Sequence, residues 1–126
     1  MSDTPDIAET YATYARLVGA ADVDAIVALY ADDATIADPV DAPIVAGRDA
    51  IRAFYERAVE IVAELALTGP VRISRDLRHG AAPLRVTVRS KKGLRALDVV
   101  SVMTFDARGK ITSMTAYWGP ANAHPL

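Results

Sequence analysis

Ile7, Tyr11, Tyr14 and Val18 recur at i, i+4, i+7 and i+11, the repeat that keeps apolar side chains on one face of a helix. This predicts a first helix that begins near Thr4-Pro5 and ends at Gly19. Asp22 is a candidate N-cap for a second helix that turns Val23, Ile26, Val27 and Tyr30 inward before the polar pair Asp32-Asp33. The period then changes. In Ala34-Thr35-Ile36-Ala37-Asp38-Pro39 alternate side chains share a face, so Ala34, Ile36 and Asp38 lie together on a short strand that Pro39 ends. A loop over 39–43 and a short extension at Ile44-Val45-Ala46 follow. Gly47 opens the longest helix, whose apolar stripe is Ile51, Phe54, Tyr55, Ala58, Val59 and Val62.

Beyond that helix the chain alternates or is rich in β-branched residues near 64–76, 82–91, 94–105 and 110–118, with breaks at Pro70, His79-Gly80, Lys92-Gly93 and 106–109. The expectation is an antiparallel meander. Three N-terminal helices packed on one face of a curved antiparallel sheet make an α+β fold, and such a sheet can leave a pocket beneath the helices. The 126 residues suffice for one domain, spanning 1–126.

Composition narrows the chemistry. There is no cysteine, which excludes disulfides, thiolate catalysis and cysteine-based metal sites. The two histidines, His79 and His124, have no neighbouring ligand set in the sequence, so neither a metal nor another cofactor is expected. The apolar runs are too short to span a membrane, and the first 20 residues carry acids where a signal peptide needs a basic start. The chain therefore reads as soluble and cytoplasmic.

Charge is unevenly divided: residues 1–64 hold 13 acids and 4 bases, residues 65–126 hold 3 acids and 10 bases. An acidic helical layer and a basic outer sheet face account for this, and the two could meet in a dimer. The alternative is a nucleic-acid surface made of Arg72, Arg75, Arg78, Arg85, Arg89, Lys91, Lys92 and Arg95. It lacks the interleaved aromatics that bases stack on, so no nucleic-acid partner is expected.

Asp38 is the candidate for chemistry. A carboxylate held against an apolar strand face has its charged form disfavoured by desolvation, which raises its pKa and suits it to accept a proton. Tyr14, Tyr30 and Tyr55 fall on the inward faces of the three helices, aiming phenols at one interior. Clustered phenols can stabilise a developing oxyanion, and they can equally be ordinary core residues. Ser101 is the polar exception on the face formed by Leu97, Val99, Met103 and Phe105. A small hydroxyl there commonly bonds to backbone. Asp98 has the opposite parity and should face outward. Met114, Ala116 and Trp118 share a face of the last strand, as cavity wall or plain core.

The run Ala21-Asp22-Val23-Asp24-Ala25-Ile26-Val27-Ala28-Leu29-Tyr30-Ala31-Asp32-Asp33-Ala34-Thr35-Ile36-Ala37-Asp38-Pro39-Val40 resembles bacterial Δ5-3-ketosteroid isomerases of the nuclear transport factor 2-like superfamily. The resemblance extends to GRDAIRAFYER at 47–57 and GKITSMTAYWG at 109–119, while 65–95 matches only in strand pattern. It implies a cone-shaped domain, usually a homodimer, that binds a 3-ketosteroid and moves a β,γ double bond into conjugation with the ketone. Asp38 matches the family's general base, which takes a proton from C4 and returns it at C6. Tyr14 matches the phenol that donates to the C3 oxygen, with Tyr30 and Tyr55 as its supporting phenols. Val18, Phe54, Val86, Val99, Met103, Met114, Ala116 and Trp118 would line the steroid cavity.

One position departs from the family pattern. Counting back from 105–119, the family's protonated aspartic acid falls on Ser101, a shorter and weaker donor. Loss of one oxyanion donor costs on the order of 10²–10³ in rate in a protease. That would slow an isomerase without abolishing it, and a bulge turning Asp98 inward would restore the acid. The same base also suits a polyketide cyclase of this superfamily, and the same cavity suits a non-catalytic binder of hydrophobic ligands. A limonene-type epoxide hydrolase, which needs an Asp-Arg-Asp set in the pocket, fits less well.

Overall fold

In the computed structural model, residues 6–126 are described, so the expected helix start at Thr4-Pro5 lies outside the described residues. Helix α1 runs Ile7–Gly19 and is capped by Asp6, whose carboxylate accepts from the Glu9 amide at 3.0 Å. That bond satisfies one of the amides a helix start leaves free. Helix α2, Val23–Ala28, is capped as expected by Asp22, which accepts from Ala25 N at 3.2 Å. Helix α3, Arg48–Ile61, starts after Gly47, whose φ of 88° suits glycine. Arg52 on α3 pairs with Asp24 on α2 at 2.6 Å, and Arg48 pairs with Asp32.

The strands are β1 (Tyr30–Ala37), β2 (Val45–Ala46), β3 (Val62–Leu67), β4 (Arg72–Ile73), β5 (His79–Ser90), β6 (Gly93–Phe105), β7 (Ile111–Tyr117) and β8 (Ala123–Pro125). They form one sheet in the order β2-β1-β7-β6-β5-β3, with β4 added beside β5 and β8 beside β6. The expected meander holds for β3, β5, β6 and β7, whose successive pairings are antiparallel. The sheet as a whole is mixed, because β1 runs parallel to β7. Parallel neighbours need a long crossover, and α3 with the entire meander supplies it.

Three local expectations change. Tyr30 opens β1 instead of closing α2, because α2 stops at Ala28. Val62 begins β3 beyond the end of α3. His79-Gly80 is not a break but the start of β5. The missing side chain at Gly80 serves packing: a Cβ there would sit 2.7 Å from Ile7 Cγ2 and 3.0 Å from the Tyr11 ring. Glycine thus lets α1 lie directly on the sheet backbone.

The core between helices and sheet is built from α1 (Ile7, Tyr11, Leu17), α2 (Ile26, Val27) and the inward positions of the strands, among them Ile36, Met103, Phe105 and Ile111. The Tyr11 hydroxyl is satisfied at the bottom of this core by the carbonyls of Ser101 (2.9 Å) and Gly80 (3.1 Å), and burial pushes its pKa up to about 12. No helix of the described residues is long and apolar enough to cross a membrane.

Gly80→Ala forces α1 away from β5. The expected outcome in urea denaturation is a loss of about 1–3 kcal/mol of stability, the usual cost of overpacking.

Candidate active site

Alternate residues of β6 set one wall of a cavity. Leu97, Val99 and Ser101 point inward, while Asp98 and Val100 point out. Beside them β5 contributes Leu84, Val86 and Val88, and β7 with the residue after it contributes Met114, Ala116 and Trp118. Tyr14 and Val18 of α1 and Phe54 and Tyr55 of α3 close the other side. The cavity measures about 520 Å³, within the ~300–1,000 Å³ typical of small-molecule sites. Met103 departs from the expected lining. It is fully buried in the core and is not among the lining residues.

Asp38 follows the last residue of β1, half-buried, with its carboxylate on the cavity wall. Burial raises its pKa above the ordinary aspartate value, and a hydrogen bond from the Trp118 indole partly opposes this. The indole Nε1 donates to Asp38 Oδ1 at 2.6 Å. Parallel pairing of Ile36 with Met114 and Ala37 with Thr115 brings these two strand ends side by side. From the sequence, Trp118 reads as cavity wall or plain core. Its contact with Asp38 depends on a parallel pairing that no local pattern announced.

The three expected phenols do come together. Tyr55 Oη lies 3.0 Å from Tyr14 Oη and 2.5 Å from Tyr30 Oη. Tyr14 and Tyr55 line the cavity, and Tyr30 stands behind them in the core. Burial pushes all three phenols well above the ordinary tyrosine value, so each carries its proton at neutral pH. One proton per hydroxyl restricts the chain. If Tyr14 donates into the cavity, Tyr55 must donate to Tyr14 and Tyr30 to Tyr55, and each bond polarises the next.

Ser101 is 2% exposed and faces the cavity, with no hydrogen-bond partner for its Oγ among the described residues. It does not make the backbone bond that such a hydroxyl commonly finds. A buried unpaired hydroxyl costs about 1–3 kcal/mol, so it is poised to bond something that enters. Asp98 stays outside: β6 has no bulge there, and its carboxylate binds Arg85 Nε at 3.1 Å and His124 Nε2 at 3.0 Å.

Arg95, which the charge pattern assigned to the outer sheet face, shares the inward parity of Leu97 and Ser101 and lines the cavity, as does Arg57 on α3. Parity alone could have found Arg95. Arg57, Ala58 and Ile61 extend the Phe54 side of α3 along the cavity by one and two turns.

A SnoaL-like domain matches residues 11–114 of the chain. The chain belongs to the SnoaL-like domain family, within the nuclear transport factor 2-like fold. It is 37% identical over 123 residues to a steroid Delta-isomerase of Nocardioides simplex, covering 93% of each. A solved structure of SalBIII, an epoxide hydrolase/cyclase-like enzyme in pyran ring formation in the polyether salinomycin, superposes with a TM-score of 0.87. Its sequence identity is 29%, and 94% of each chain is covered. The fold expected from the resemblance to ketosteroid isomerases, three helices on a curved sheet, is the fold observed.

Two outcomes follow from the setting of Asp38. A folded-state carboxyl pKa above the unfolded value means that the folded chain binds the proton more tightly, so stability falls as pH rises from the ordinary aspartate range through the raised value. Asp38→Asn keeps an acceptor for Trp118 without the charge, and its thermal midpoint at pH 7 should exceed that of the parent. Trp118→Phe removes the donor that favours the carboxylate, so Asp38 should titrate at higher pH, measured by NMR of the labelled carboxyl carbon.

Proposed function

We propose that this protein is a steroid Δ5–Δ4 isomerase acting on a 3-ketosteroid. The observation that carries the reading is a carboxylate and a buried phenol, Asp38 and Tyr14, on the wall of one largely apolar cavity. The 37% identity to a steroid Delta-isomerase supports it.

In this reading the ionised Asp38 takes a proton from C4 of a 5-ene-3-ketone. The C4–H electron pair moves into the ring, and the C3 oxygen becomes a dienolate oxygen. Tyr14 donates to that oxygen, backed by Tyr55 and Tyr30, with Ser101 as a weaker second donor. The carboxyl group then returns its proton to C6, and the double bond ends between C4 and C5. Atoms balance without a cofactor. The raised pKa of Asp38 makes it a stronger base than an exposed aspartate, and the Trp118 bond favours its ionised form. Val100 and Tyr117, about half exposed and paired across the outward face of β6 and β7, support a homodimer.

A second reading, a cyclase, is favoured by the likeness to SalBIII. There Asp38 deprotonates an activated carbon or hydroxyl, and the missing acid at position 101 is no deficit. Among the described residues Asp38 is the one carboxylate that lines the cavity, which does not favour an Asp-Arg-Asp epoxide hydrolase site.

The purified protein should convert a 5-ene-3-ketosteroid to its conjugated enone, seen as rising ultraviolet absorbance, and Asp38→Asn should nearly stop it. Undiminished turnover by Asp38→Asn would falsify the assigned base. Tyr14→Phe is expected to lower kcat by about 10²–10³, the cost of one oxyanion donor. Ser101→Asp should raise turnover by about tenfold or more, reflecting the stronger donation of a neutral carboxylic acid.

A further inference from the structure

The cavity is apolar from Tyr14 outward until it reaches two guanidinium groups. Along β6 the cavity-facing residues run Ser101, Val99, Leu97, Arg95. Ser101 lies six strand positions from Arg95, roughly 20 Å at the ordinary strand rise. Register shows which end this is. Arg95 pairs with Val88, and Val88 pairs with Val62, the first residue after α3. Arg89 fixes the end of α3 to the same row by donating to the carbonyls of Val62 at 3.0 Å and Glu60 at 3.4 Å. Arg57 and the exposed Ile61, on the last turns of α3, therefore stand across the opening from Arg95.

Neither arginine pairs with a carboxylate among the described residues, although Arg48, Arg52 and Arg85 all do. The acids nearest in sequence to Arg57, Glu56 and Glu60, are exposed and absent from the cavity lining. The one cavity carboxylate, Asp38, lies with Trp118 toward the phenol end. Two unpaired guanidinium groups on opposite sides of an apolar mouth have donors and charge suited to a carboxylate, which each can hold through paired N–H donors.

We infer that the substrate is an amphiphile: a steroid with an anionic group, such as a side-chain carboxylate, at the end away from the 3-ketone, received by Arg57 and Arg95. The inference rests on the steroid reading of the cavity and adds to it a class of substrate. The apolar walls hold the rings, the phenol end holds the ketone, and the arginines fix which end enters first. A neutral steroid would gain the apolar contacts and the phenol bond without that second anchor.

Calorimetric titration tests this without relying on turnover. The probes are a 3-oxo-4-ene steroid with a carboxylated side chain at C17 and the methyl ester of the same compound, each added to the full chain at pH 7. The acid should bind at least about tenfold tighter than the ester, and the ratio should shrink as ionic strength rises and screens the pair. Arg57→Gln with Arg95→Gln should bring the acid-to-ester ratio to about one. Arg57 is exposed on α3, so Arg57→Gln alone perturbs packing least and should lower the ratio by itself. Equal affinity of the parent protein for acid and ester overturns the inference and leaves the steroid site standing. Binding of neither compound overturns the inference together with the steroid reading.

Discussion

Asp38 keeps its place through one indole N–H, and the fold is arranged so that this donor is there. The residue follows the end of β1, and Trp118 follows the end of β7. Only a parallel pairing brings two such ends together, since antiparallel neighbours would set the end of one beside the start of the other. Burial works against the charge on Asp38, and the hydrogen bond works for it. With no donor the carboxyl would hold its proton to higher pH, and with several donors it would be a weaker base. One donor leaves it between these limits.

The phenols solve a related problem differently. Three hydroxyls sit in surroundings that disfavour phenolate, so the charge they can stabilise must arrive with the substrate. Tyr55 is in contact with both other hydroxyls, which makes it the junction of the chain. Tyr14 is T-shaped against the Tyr55 ring, with ring centres 6.1 Å apart, and Phe54 also meets that ring in a T-shaped pair at 5.0 Å. Aromatic packing therefore holds the hydroxyls at hydrogen-bonding distance before any ligand enters. Preorganisation of this kind removes the reorganisation that water would require as charge develops.

Much of this was legible in the sequence, and the boundary is physical. Helix stripes and strand alternation depend on neighbours within a few residues, so α1, α3 and the inward parity of β6 could be read directly. Tyr30 reads as helical because α2 is only six residues long, and over so short a stretch an inward helix position and the first inward strand position fall on the same residue. His79-Gly80 read as a turn because glycine most often marks one, whereas here it admits a helix. The parallel β1–β7 pairing, and with it the Trp118–Asp38 bond, joins residues 80 positions apart and leaves no local trace. Arg95 falls with the outer-face bases when charge is summed by segment, and with the cavity wall when strand parity is followed.

Gly80 lies far from the chemistry in sequence, yet it bears on it through α1. The Tyr11 ring touches the space where its side chain would be, and Tyr14 is three residues further along the same helix. A helix is stiff along its axis, so the depth at which Tyr11 settles is also the depth to which Tyr14 reaches. The distance between phenol and base is thus gauged by a missing methyl group beneath α1. Evolution of this cavity toward longer or shorter ligands has an adjustment there that touches no ligand atom.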